Sequence, residues 1–317
     1  MTKSIAIELA SEPQEEVCCP LCGESSQELV FLARDRLFAQ PGAYRIVRCT
    51  ACGLRYLSPR PTLAGIARHY PADYFIYQPP EELPAIVRAM ARAHTSMRWR
   101  SSIRRLERVR GRFQPGTRIV DVGCGLNDYL ATLQRLRGLQ GVGVDFKPEV
   151  ADYVRNTLQM PIHAGTLHDA RFPDGAFDVV AMNEYLEHES NPRELLVEAR
   201  RISATGGHLV IEIPFIDGLP AKLFGSRWSQ VDAPRHMVYF TRTTLADMLR
   251  RCGYQLIHTQ TFQIPMMIGV SVLQALGHRR LGRLNFTDRM LAMLAALPLL
   301  PIMPFMDEFM FAVARAE

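Results

Sequence analysis

Long unbroken apolar runs are missing from this sequence. No stretch of about 20 apolar residues is free of prolines or charges, so no membrane-spanning helix is expected. The opening "MTKSIAIELASEPQEE" has too short an apolar run for a secretory leader, and acids follow it at once. No internal repeat is present. A strong charge bias is missing too. A formal net charge of +5 with 22% charged residues describes a globular chain with a mild basic bias, which permits an anionic partner without requiring one. Both common phosphate-gripping loops are absent. After the candidate strand "IVDV" the turn runs Gly123-Cys124-Gly125-Leu126-Asn127-Asp128, so the third glycine of a dinucleotide loop is replaced by Asp128. A carboxylate there would repel a pyrophosphate. The G-K-[S/T] ending of a triphosphate loop is missing as well.

At 317 residues, 48% of them hydrophobic, the chain can form one large domain with additions, or two domains. Seven cysteines without a secretory leader favour a reducing, cytoplasmic setting, with metal-bound thiols rather than disulfides. "CPLCG" and "CTACG" place Cys19 with Cys22 and Cys49 with Cys52. In each, the two-residue gap lets both sulfurs face one ion, and the glycine permits the tight turn. Two such knuckles make a closed four-thiolate site suited to structural zinc rather than to catalysis.

Between 113 and 262 short apolar runs alternate with helical patterns. Strands are expected at Arg118–Val122, Gly141–Asp145, Pro161–Ala164, Phe177–Asn183, His208–Pro214 and Tyr254–Phe262. Pro148 marks one helix start, and Asn191-Pro192-Arg193-Glu194 offers an N-cap, a first-turn proline and a capping-box acid at another. Gly253 sits where a helix C-cap glycine belongs. Such alternation implies α/β architecture with a parallel sheet. The tail "DEFMFAVARA" reads as one more strand, free to pair antiparallel because it returns after a long detour.

With phosphate ligands disfavoured, the turn suits a nucleoside with a zwitterionic tail and no phosphate, and S-adenosylmethionine (SAM) has that chemistry. Asp121 can offer charge to an ammonium, Gly123 and Gly125 allow close backbone approach, and Asp145, ending the next strand, can hold ribose hydroxyls. In "VDVGCGLND", "GVGVD" and "FPDGAFDVVAMNEYLEHESNPRELLVEARRISATGGHLVIEIP" the chain resembles the class I SAM-dependent methyltransferases over about residues 113–262 plus the final strand. That resemblance implies a Rossmann-like, mostly parallel seven-stranded sheet whose last strand is antiparallel. It further implies that Asp121, Gly123, Cys124 and Gly125 line the methionine moiety, that Asp145 and Phe146 flank ribose and adenine, that Thr166 and Leu167 lie near the adenine, and that Asn183 and Glu184 stand near the reactive end. Asn127 replaces the family's third glycine; because Asn tolerates left-handed backbone, the turn should survive. Thr166 stands where the family usually has an acid. The link "GLRYLSPRPTLAGIARHYPADYF" resembles bacterial methyltransferases with an N-terminal zinc ribbon that act on sugars and natural products, and Tyr70 and Tyr74 are placed to fold over the cofactor.

The implied organisation is a flexible N-terminus at 1–16, a zinc ribbon at 17–60, a helical linker at 61–112 and a methyltransferase domain at 113–317. The acceptor's proton needs a base, and two histidines follow strands at the ligand-binding edge: His188 in "EYLEHE", and His236 with Asp232 four residues before it. Arg88, Arg92, Arg100, Arg104, Arg108 and Arg112 stripe one helical face, opposite a packing face of Ile103, Leu106 and Val109. The apolar stretch 263–306 is expected to form a bent, proline-broken lid over the acceptor site. The resulting expectation is methyl transfer to a small acceptor with an apolar or anionic part: a sugar, a lipid-linked intermediate or a natural product. RNA methylation and non-catalytic SAM-fold binding are the competing readings, and peripheral membrane contact is the competing use of the apolar tail.

Overall fold

Short runs of mixed apolar and polar residues in the first third of the chain form strands around the four-cysteine segment. A computed structural model of the protein describes residues 10–71, 74, 77, 85–278, 281 and 285–317. Residues 1–9 of the expected N-terminal arm and 78–84 of the expected linker lie outside the described residues. The arm from residue 10 onward is tied down: β1 (Gln14–Glu15) pairs with β5 (Arg60–Pro61), and Tyr44 donates to buried Glu12 at 2.6 Å. Three strands, β2 (Gln27–Ala33), β3 (Tyr44–Cys49) and β4 (Arg55–Leu57), form an antiparallel sheet. After α1 (Leu63–Ile66), the long helix α2 (Ala85–Arg110) leads into the main sheet.

That sheet is seven-stranded. Its elements follow in chain order: β6 (Ile119–Val122), α3 (Asp128–Arg137), β7 (Gly141–Asp145), α4 (Pro148–Asn156), β8 (Ile162–Ala164), β9 (Phe177–Asn183), α5 (Pro192–Ile202) and β10 (Ser203–Pro214). Next come α6 (Leu219–Phe224), β11 (Val238–Tyr239), α7 (Arg242–Arg251), β12 (Tyr254–Phe262), α8 (Pro265–Ala275), α9 (Phe286–Ala296) and β13 (Phe309–Ala316). The spatial order is β12-β13-β10-β9-β6-β7-β8, with β13 antiparallel to both of its neighbours and β10, β9, β6, β7 and β8 parallel. Strand β10 begins earlier than expected, because a register shift between Ser203 and His208 absorbs the Gly206-Gly207 pair. The expected caps are present: Pro148 and Pro192 sit in first helical turns, the Asn191 side chain accepts from Glu194 N, and Gly253 follows α7 with φ +80°.

Strand β11, from the second half of the chain, adds to the N-terminal sheet by pairing with β4. One hydrophobic core then runs from Cys19, Leu21, Val47 and Tyr56 through Val238 and Phe240 to Val120 and Val180. The four-cysteine segment and the main sheet are therefore built as one body. Across the other face, Ile103 and Leu106 of α2 are fully buried against Ile119, Leu130 and Val179, the packing face expected of that helix. Its arginine stripe is shorter than expected, because α2 ends at Arg110 and Arg112 lies beyond it.

The stretch 263–306 departs from the bent, broken path expected for it. Helix α9 continues without a break as a 3-10 helix over Leu297–Phe305, straight through Pro298, Pro301 and Pro304. Three residues per turn place prolines spaced by three on a single face, which spares the rest of the helix. Thr287–Phe305 is long and apolar enough by length and composition to cross a membrane, and 17% of its best window is buried. Helix α8 differs: Ile268, Val270 and Ser271 are buried, and Ser271 Oγ accepts from Ser229 N at 3.0 Å.

Candidate active site

The C-terminal ends of β6, β7 and β9 meet at one edge. Strand β6 is buried throughout and delivers Asp121, 2% exposed, immediately before the turn. Gly123 (φ +71°) and Gly125 (φ +50°) take left-handed backbone there, and Gly123 N and Cys124 N both donate to Val144 O. A Cβ on Gly123 would collide with the Tyr185 ring, whereas a Cβ on Gly125 would meet open space. Asn127 adopts φ +62°, donates its N–H to Cys124 O and leads into α3, so it supplies the conformation of the missing glycine.

Asp145 closes the turn. Its Oδ2 accepts from Gly125 N and its Oδ1 from Lys147 N, each at 3.0 Å. Burial raises its carboxyl above the usual range despite those bonds. Asp121 is pushed up to about 8 by burial, with the Asn183 hydrogen bond (3.2 Å) opposing and the charges of Asp145 and Glu212 adding to the rise. Burial raises the Cys124 thiol as well, so it stays protonated at neutral pH. Phe146, half exposed, meets Tyr70 edge to face at 6.1 Å. Leu167 is buried, and the exposed Thr166 binds Asp169 through both its N–H and its hydroxyl, which brings a carboxylate to the place where an acid was missing.

Glu184 holds φ +53° and pairs with Arg98 of α2. Arg98 also reaches Glu212 Oε2 at 3.4 Å, and Arg105 stands 3.6 Å from Glu212 Oε1. Sequence reading assigned neither arginine to the site. Their signal was present: Arg98, Ser102 and Arg105 follow the four-then-three spacing of one helical face, and Ser102 between them is 1% exposed.

His188, in a 3-10 turn over Leu186–His188, and His236 come together with ring centroids 4.5 Å apart. Burial lowers both below the usual imidazole range, so both are neutral near pH 7. His188 Nδ1 lies 3.1 Å from Arg235 O and 3.0 Å from Tyr70 Oη, and His236 Nδ1 lies 2.8 Å from Gln230 O. Tyr70 thus bridges Phe146 and the histidine pair, while Tyr74 packs behind it among Phe38 and Tyr77. Asp232 does not join the pair as a hydrogen-bond partner. Its nearest oxygen is 3.9 Å from His236 Nε2, and both its oxygens are taken by Arg235 Nε at 3.1 and 3.0 Å. Glu187 was also missed: it is 1% exposed, and neither carboxylate oxygen has a hydrogen-bond partner.

The four expected cysteines converge, with Cys19 Sγ 3.4 Å from Cys52 Sγ and Cys22 Sγ 3.5 Å from Cys49 Sγ. Gly23 and Gly53 turn each knuckle with φ +81° and +78°. Four sulfurs about one zinc at about 2.3 Å would be spaced only slightly wider. The donor set therefore fits a zinc ion, which would hold the two knuckles together.

A Rossmann-like sheet of this order, with its single antiparallel strand inserted next to the edge, defines the class I methyltransferase fold. Residues 91–259 match the family model described as a methyltransferase domain, more than half of the chain, and the protein belongs to that family. It is similar to a ubiquinone biosynthesis O-methyltransferase of Xanthomonas axonopodis pv. citri, 32% identical over 34% of this chain and 47% of the relative. An uncharacterized 37.1 kDa protein in transposon TN4556 of Streptomyces fradiae is 31% identical over 33% of this chain and 32% of its own length. A tRNA U34 carboxymethyltransferase of Sodalis glossinidius is 29% identical over 49% of this chain and 50% of that protein. The matched stretches thus span half or less of these curated relatives. The solved structure of a geranyl diphosphate methyltransferase in complex with SAM superposes with a TM-score of 0.50 at 16% identity, covering 73% of this chain and 90% of that one.

Proposed function

We propose that the protein is a SAM-dependent methyltransferase acting on a small-molecule acceptor. The observation that carries this reading is the single edge at which Asp121, the left-handed Gly123 and Gly125, and Asp145 meet, with open space beside Gly125. SAM supplies a methyl group on a sulfonium, which is its own leaving group. In this reading Asp121 faces the cofactor's ammonium, and Gly123, Cys124 and Gly125 give backbone contact. Asp145, held by two N–H donors, orients the ribose hydroxyls. Phe146, Thr166 and Leu167 flank the adenine, and Asn183 and Glu184 stand at the reactive end. The chain's remaining task is to hold the acceptor in line with the methyl and exclude water. Cys19, Cys22, Cys49 and Cys52 carry a structural zinc in the same reading. Small-molecule methylation also agrees with the name of the relative described as a ubiquinone biosynthesis O-methyltransferase. The tRNA-modifying relative favours RNA as the second reading, but the arginine stripe it would use stops at Arg108 in α2.

Calorimetry with SAM and its demethylated product tests the reading. Gly125→Val should abolish binding, because its side chain fills the open space at the turn and φ +50° disfavours a β-branched residue; a melting curve recorded beside the calorimetry separates lost binding from lost folding. Asp145→Ala should weaken binding on the order of tenfold or more through lost charge-assisted hydrogen bonds. Asp121 is largely protonated at pH 7, with its carboxyl near 8. An arriving ammonium favours its ionised form, so affinity should rise as pH climbs toward 8, with proton release seen as a buffer-dependent heat. Binding of NAD in place of SAM would overturn the assignment.

His188 and His236 define the acceptor end. Alanine at either should cut turnover by about 10²- to 10⁴-fold with little change in SAM affinity. If both variants turn over near the wild-type rate from about pH 6 to 9, the pair has no part in the chemistry.

A further inference from the structure

Glu187, His188 and His236 each place one ligand atom within 4.8 Å of the other two. We propose that these three side chains bind one divalent first-row transition cation, zinc being the simplest case. The tautomers support it. Gln230 O and Arg235 O are carbonyl oxygens and can only accept, so the Nδ1 atoms facing them at 2.8 and 3.1 Å carry the protons. Tyr70 Oη shares the His188 proton as a second acceptor at 3.0 Å. Each neutral ring is left with a bare lone pair on Nε2. A histidine that donates one ring nitrogen to a backbone carbonyl and offers the other is the usual arrangement of a metal ligand.

Glu187 gives the second, independent observation. Its carboxylate is buried, both oxygens lack a partner, and no arginine reaches it with an ion pair among the described residues. The cationic groups nearby are already committed: Arg235 to Asp35 and Asp232, and Arg98 to Glu184 and Glu212. A buried carboxylate with no partner is strongly unfavourable, and a cation at the same point removes that cost. The scaffold beneath the three side chains is tightly held. Met237 N donates to Glu187 O at 2.7 Å, His188 N to Tyr185 O at 3.0 Å and His236 N to Asp232 O at 3.1 Å.

Two imidazoles and one carboxylate suit zinc, iron, cobalt or manganese and leave coordination positions open, unlike the closed four-thiolate site. Resting on the methyl-transfer reading, the open position would take an acceptor oxygen, which narrows the substrate to a hydroxyl- or carboxylate-bearing molecule. The histidines would then be ligands rather than free bases.

The test uses the full chain loaded with zinc alone, desalted and assayed for metal. Wild-type protein should retain two equivalents. Glu187→Gln, nearly isosteric and uncharged, and His236→Gln should each retain one, held by the cysteines. SAM calorimetry on the same samples separates the two proposals: lost SAM binding with two zincs retained would count against methyl transfer and leave the metal site standing. If His236→Gln does not fold, Glu187→Gln decides alone. A folded wild-type chain holding one zinc or none, or variants that keep two, would overturn the proposal.

Discussion

Arg235→Ala is expected to destabilise the protein by about 3–5 kcal/mol, the cost of breaking a buried ion pair from one side. Arg235 is fully buried and binds Asp35 with two nitrogens at 3.0 and 3.1 Å, Asp232 through Nε at 3.0 Å, and His69 O at 3.2 Å. Asp35 belongs to the N-terminal segment and Asp232 to the methyltransferase half, so a single guanidinium joins the two. Removing it strands two carboxylates in the interior. The network also sets acid sensitivity. Burial alone would raise the Asp35 carboxyl, but the His69 hydrogen bond and the Arg235 charge outweigh it and bring the value from 3.8 down to about 2. A lowered folded-state value means the contribution, on the order of 2 kcal/mol, is complete above about pH 4 and is lost as pH falls toward 2. Urea unfolding at neutral pH should show the loss in Arg235→Ala, and the variant should lack the wild-type drop in stability between about pH 4 and 2. Wild-type stability in Arg235→Ala would show that the ion network adds nothing to the apolar core and the β4–β11 pairing that also join the two halves.

Cys22→Ser should lower the zinc content by one equivalent and unfold the knuckle region, with effects that reach the main sheet. Structural zinc sites supply folding free energy directly, roughly 10–16 kcal/mol of apparent binding in isolated small domains. Here Cys19 and Cys49 belong to the same core as Val238, Phe240 and Leu245, and β11 hydrogen-bonds to β4. Chelator treatment should therefore lower the melting temperature of the whole chain in one transition. Two separated transitions, with the methyltransferase half melting as before, would show that the zinc stabilises only its own loop.

The main sheet was legible from the chain because its strands are short, mostly apolar runs set between helical patterns, several of them closed by glycine, proline or aspartate, as at Gly123, Asp145, Gly165 and Pro214. Phe177–Asn183 and Tyr254–Phe262 match their expected limits. Asp121, the two glycines and Asp145 were legible because turn and charge chemistry are local. What escaped was long-range. Nothing around Val238 shows that its two-residue strand completes a sheet begun near residue 27, since the pairing depends on partners far away in sequence. The pairing of Asp232 with Arg235 was within reach at spacing three, but the choice of Arg235 over His236 depends on Asp35, 200 residues earlier. Arg98 and Arg105 were hidden inside a helix whose exposed arginines gave the louder pattern.

Strand β13 lies between β10 and β12 and hydrogen-bonds along both, yet it is made after the whole excursion through α8 and α9. During synthesis β10 and β12 must wait with facing edges unpaired, Val210, Ile211 and Ile213 on one of them, until residues 309–316 emerge from the ribosome. Open apolar edges are templates for pairing with other chains. The chain is thus most exposed to misassembly until β13 is made, and a product cut short near residue 308 would carry its helices through α9 while lacking its keystone strand.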